Sequence, residues 1–101
     1  MKLTKINVGI IPNPTTKVVG MATIEIDGVL VMNNIKIIDG KNGAFLGMPS
    51  MKNAKGEYKD VFYFMTDKAR EYITEKVLQK YTEKVASNVN DIQEVNGDIP
   101  F

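Results

Sequence analysis

The chain has 101 residues, 44% of them hydrophobic, a size that supports one domain around one core. It lacks cysteine and histidine, which excludes disulfides, thiol nucleophiles, thiolate metal sites and imidazole acid–base chemistry. Thirteen basic and twelve acidic residues nearly cancel, but residues 86–101 hold Asp91, Glu94 and Asp98 with no basic partner, so residues 1–85 carry 13 basic against 9 acidic residues, or +4.

Residues 3–11 are rich in β-branched side chains and are closed by Pro12 and Pro14, which predicts a first strand and a turn. Residues 18–38 place Asp27-Gly28 between two apolar runs, the pattern of a two-residue hairpin whose central positions need positive φ. That register sets Ile26 opposite Val29 and Ile24 opposite Val31. It predicts one buried face made of Ala22, Ile24, Ile26, Val29, Val31, Ile35 and Ile37, interrupted at Asn33.

A second turn cluster spans 39–43, and residues 44–48 (AFLGM) predict a short returning strand. A nine-residue connection, Pro49 to Glu57, carries Lys52 and Lys55, and residues 58–64 (YKDVFYF) predict a fifth strand. Thr66 is placed to cap a helix with Asp67 in its first turn, and Ala69, Ile73, Val77, Tyr81 and Val85 recur every four residues as its apolar stripe. The pattern defines an α+β fold, a five-stranded mainly antiparallel sheet followed by one long C-terminal helix. Residues 1–85 form the single domain, and residues 86–101 are expected to be a poorly ordered acidic tail, docked at most through Ile99 or Phe101.

No run approaches the ~18 apolar residues of a spanning helix, and MKLTKINVG lacks the apolar block of a secretory signal; a soluble cytoplasmic protein that does not engage a membrane is expected. Asp39 and Asp60 near strand ends resemble an acid–base pair, yet aspartate is an ordinary turn residue and the turn reading is favoured. The glycines of 40–47 fit neither phosphate-binding fingerprint, and the scattered carboxylates lack calcium-loop spacing. The expectation is a protein that is no enzyme and has no cofactor, metal or small-molecule substrate.

Lysines at 76, 80 and 84 form a helical stripe beside acidic Glu71, Glu75 and Glu83, the composition of a solvated face. Lys68 and Arg70 differ, since they sit where the helix N-terminus already carries positive potential. For the loop lysines, composition alone leaves two readings open, solubility and contact with nucleic acid, and favours the first because no aromatic interleaving accompanies them.

The stretch IKIIDGKNGAFLGMPSMKNAKGEYKD, continued by one helix, resembles the septation-regulator family SpoVG, stage V sporulation protein G. Members show a similar I-K-V-I-E-G-x-N-G-L-F-I-A-M-P-S-R-K-x-x-D-G-E-F-x-D run. The resemblance implies a small bacterial homodimer, built through its sheet, that binds DNA and in some members RNA and affects septation, sporulation or other gene expression. The family's contacts correspond by motif to Lys52, Lys55, Lys59, Lys68 and Arg70. Three departures stand out: Met51 where the family has a basic residue, Lys55 where it has aspartate, and residues 62–65 in place of a His-Pro segment.

For Leu30, Met32, Met48, Phe62 and Phe64 two readings stand: they line the second face of the sheet, where a two-fold dimer would cover them and bring two lysine loops together, or some of them belong to the monomer core. The competing expectation is a non-enzymatic adaptor in cell division, binding proteins through its sheet edge or acidic tail.

Overall fold

Four apolar runs separated by turn residues become four antiparallel strands: β1 (Lys2–Ile10), β2 (Val18–Ile26), β3 (Leu30–Gly40) and β4 (Gly43–Gly47). Two three-residue strands follow, β5 (Ser50–Lys52) and β6 (Tyr58–Asp60), then helix α1 (Asp67–Ser87) and strand β7 (Gln93–Asp98). The structure, a computed structural model, describes residues 1–87 and 93–100. Five strands form the main sheet in the order β4-β3-β2-β1-β7, every pair antiparallel, and β5 with β6 forms a separate ribbon. The architecture is α+β, with α1 packed on one sheet face mainly against β1 and reaching β4.

The sheet's fifth strand is not the one expected. Of residues 58–64 only Tyr58–Asp60 pairs as a strand, and it pairs with β5 outside the main sheet. Beyond it the Val61 amide donates to the Pro49 carbonyl at 2.7 Å, and Phe62 and Phe64 turn onto the core while Val61, Tyr63 and Met65 stay exposed. The period-two pattern is therefore real, but it covers the rim of the core instead of forming a ladder. Within the stretch expected as the acidic tail, β7 pairs with β1 from Lys2↔Asp98 to Ile6↔Gln93, and Ile99 is buried.

The β2–β3 hairpin has the expected positive φ at Asp27 (56°) and Gly28 (69°), but its register is shifted. Ile26 lies opposite Leu30 and Ile24 opposite Met32, so Val29 belongs to the turn. The reason is that the tip is tied to β1. Lys2 N donates to Asp27 Oδ1 at 2.7 Å, Asp27 N to the Lys2 carbonyl at 2.8 Å, and Gly28 N to Thr4 Oγ1 at 3.2 Å.

A one-residue shift exchanges the faces of a strand. Val29 and Val31, expected inside, are exposed, and Met32 is buried in their stead. A bulge at Asn33–Asn34, with Asn34 at φ 64°, then restores the parity that buries Ile35 and Ile37.

The core joins Leu3, Ile6 and Val8 of β1, Ala22, Ile24 and Ile26 of β2, Met32, Ile35 and Ile37 of β3, and Ala69, Ile73 and Val77 of α1. The apolar stripe of the helix holds through Val77, Tyr81 is half-buried, and Val85 is exposed. Thr66 caps the helix as expected, its Oγ1 accepting from Ala69 N at 3.2 Å. Replacing Thr66 with alanine should lower the unfolding free energy by about 1 kcal/mol in urea titration, with an unchanged slope.

The apolar residues assigned to a second sheet face belong mostly to the first. Met32 is in the core, and Met48, Phe62 and Phe64 pack against it; only Leu30 is exposed. The alternation that buries Ile6, Val8, Ala22, Ile24 and Ile35 turns Lys5, Asn7, Thr23, Glu25 and Lys36 to the opposite side. That face is polar around these residues and apolar toward β4, where half-buried Val18, Met21 and Ile38 adjoin exposed Phe45.

Candidate functional site

Residues 49–60 do not form an open loop. Asn53 organises the bend: its Oδ1 accepts from the amides of Lys55 and Glu57, both at 2.9 Å, while Asn53 N donates to the Glu57 carbonyl at 2.8 Å. Gly56 supplies positive φ at 83°, and its amide donates to the Asn53 carbonyl at 3.0 Å. This asparagine-centred turn makes a protruding hairpin of the expected connection.

The ribbon register is Ser50↔Asp60, Met51↔Lys59 and Lys52↔Tyr58. Directly opposed residues of an antiparallel pair share a face, so Lys59 stands beside Met51 and Lys52 beside Tyr58. Lys55 occupies the bend. All three lysines are exposed, and Glu57 Oε2 approaches Lys59 Nζ to 3.9 Å. An ion pair this open is strongly screened and leaves the Lys59 charge available to a ligand.

Arg70 and Lys68 lie in the first turn of α1, both exposed, and the Arg70 guanidinium is paired with the Asp67 carboxylate. Arg70 also lines a groove of about 650 Å³ between β4, the β6–α1 connection and the helix. Phe45, Leu46, Asp60, Tyr63 and Thr74 line it as well, whereas Lys68 does not. Of the five cations singled out in the sequence, the structure thus gathers Lys52 and Lys59 on the ribbon, sets Lys55 at its tip, seats Arg70 in the groove that the end of the ribbon borders, and leaves Lys68 outside that groove.

Aromatic and thioether groups missed at the sequence level accompany these charges. Tyr58 is 72% exposed, Tyr63 65%, Phe45 49%, Met51 67% and Met65 89%. The signal was present in the alternation of 61–65, where odd positions face water and even positions face the core. Treating 58–64 as a strand of the main sheet hides it. Among the described residues no group of three or more His, Cys, Asp or Glu side chains is placed to hold a metal ion, and no helix is long and apolar enough to cross a membrane.

An antiparallel sheet with one helix on one face and a basic, aromatic hairpin beside its β4 edge defines a small α+β domain with a protruding ribbon. Residues 1–83 match the model of the SpoVG family, and the chain belongs to that family. It is 35% identical over 91 residues to a relative from Phytoplasma australiense, covering 90% of this chain and 94% of that one. A relative from Clostridium beijerinckii is 36% identical over 73 residues, covering 72% and 80% respectively. One from Borrelia hermsii is 31% identical over 77 residues, covering 76% and 80%. All three carry septation protein SpoVG in their names, a name that does not describe an enzyme.

Proposed function

We propose that the protein is a non-enzymatic cytoplasmic regulator that binds DNA and RNA through the ribbon and the start of α1, and thereby influences septation or gene expression. The observation that carries this reading is the ribbon: three exposed lysines on a protruding hairpin bordering the groove that holds Arg70. Lysine and arginine on a projecting element neutralise phosphates and release counterions, a sequence-independent source of affinity. Lys68 adds charge on the first helical turn. In an electrophoretic mobility-shift titration at about 50 mM salt, duplex DNA and RNA should both be retarded at micromolar protein; unshifted probes at that salt would end the reading.

The regulator acts as a homodimer, which doubles the cationic surface offered to a polyanion. With Met32, Met48, Phe62 and Phe64 turned toward the core, the support comes instead from exposed Met1, Val29, Leu30 and Val31 near the β2–β3 hairpin. Light scattering should give twice the 11.3 kDa chain mass, and a value at 11.3 kDa would contradict the dimer.

A second reading, an adaptor for proteins in cell division, is favoured by the terminal position of β4 in the sheet. Such an edge presents backbone donors and acceptors to an added strand. Recovery of a protein partner after nuclease treatment would favour the adaptor.

A further inference from the structure

We infer that the groove beside β4 receives an unpaired nucleobase, making the protein a reader of single strands; this rests on the nucleic-acid reading above and narrows it. The groove joins Tyr63 to one cation, Arg70, and one carboxylate, Asp60, in about 650 Å³, while Phe45, paired with Ile38, turns its ring to the other face of β4 from Leu46. That volume suits a flat heterocycle with its sugar-phosphate. Tyr63 keeps much of its surface in water, at 65% exposure.

Aromatic faces gain most from a nucleic acid when they stack on bases, and in a duplex those faces are already occupied by neighbouring bases. A single strand offers them freely. The ribbon repeats the combination outside the groove, since Lys52 and Tyr58 are directly opposed on one face. Ring beside cation, twice, matches an alternating chain of bases and phosphates.

The charges set the orientation of the bound nucleotide. Asp60 repels phosphate and accepts hydrogen bonds, so the base edge lies toward it, with an exocyclic amino group as the favoured donor. Arg70, although paired with Asp67, remains 58% exposed at its side chain and faces the phosphate side. Lys52, opposed to Tyr58 on the same ribbon face as Asp60, carries the path of the backbone onto the ribbon.

The test is fluorescence anisotropy with a labelled oligonucleotide of about 12 nucleotides, free and annealed to its complement, at equal salt. The wild-type chain should bind the free strand at least about ten-fold tighter than the duplex. The Tyr63→Ala variant should lose about ten-fold or more on the free strand and less than about two-fold on the duplex. Tyr63→Phe, which keeps the ring, should retain wild-type affinity, and far-ultraviolet circular dichroism should show all variants folded. Equal wild-type affinity for both forms, or undiminished single-strand binding by the folded Tyr63→Ala variant, would overturn the inference while leaving phosphate binding by the ribbon intact. Absence of binding to either form would remove the nucleic-acid reading itself.

Discussion

Changing Lys52, Lys55 and Lys59 together to glutamate should weaken binding to DNA and RNA by at least about 100-fold at 50 mM salt, because each reversal removes a released counterion and adds repulsion. The fold should be unaffected. All three side chains are exposed, and their only ion pair with a described residue is the open approach of Lys59 to Glu57 at 3.9 Å. Reversing Lys2, Lys17 and Lys41, also exposed but away from the ribbon, is the matched control. It makes the same change in net charge and should cost far less affinity. Equal losses in the two triple variants would mean that overall charge, not the ribbon, governs binding.

Ile73→Ala should lower the unfolding free energy by roughly 2–5 kcal/mol, the cost of deleting a buried aliphatic side chain and leaving a cavity. Ile73 is 0% exposed and sits between Ala69 and Val77 on the face that α1 presents to the core. For a domain of this size the midpoint should fall by roughly 4–8 °C per kcal/mol in a thermal melt followed by circular dichroism. Val85→Ala is the internal comparison: it lies on the same apolar stripe but is 53% exposed, and should change stability by less than about 1 kcal/mol. Comparable losses for both would contradict the seating of the helix.

That contrast along one stripe shows what periodicity can reveal. The cap at Thr66, the acidic first turn and the four-residue spacing are local features, so the helix and its face are legible in the sequence. The antiparallel sheet is legible for the same reason, from apolar runs closed by turn residues. The register of β2 with β3 is not, because it is decided by hydrogen bonds from the turn to β1, across more than twenty residues of chain. Nor is the bulge at Asn34, whose positive φ shifts the alternation back. β7 offers no apolar period at all; its place follows from the open edge of β1 and from the burial of Ile99.

The site divides in the same way. Its cations are visible in the sequence as lysines in an unusually long connection, and the family resemblance selects them. Their arrangement depends on Asn53, whose side chain closes the bend that converts a loop into a ribbon. The aromatic partners become visible only when Phe62 and Phe64 are seen to face the core and Tyr63 the groove. Met51 and Lys55, the two departures from the family run in this segment, also become intelligible. Met51 lies across from Lys59 and contributes apolar surface, while Lys55 places a charge at the tip of the hairpin.

The central claim is that the cations of the ribbon and of the first helical turn bind nucleic acid by neutralising phosphates. Its most direct test is the affinity for one duplex DNA measured across a salt series. If Lys52, Lys55, Lys59, Lys68 and Arg70 each neutralise one phosphate, the logarithm of the association constant should fall against the logarithm of salt with a slope of about −4.5 for each protomer engaged, and the ribbon triple variant should retain no more than about −2 per protomer. A slope near zero, or the same slope in both proteins, would contradict it.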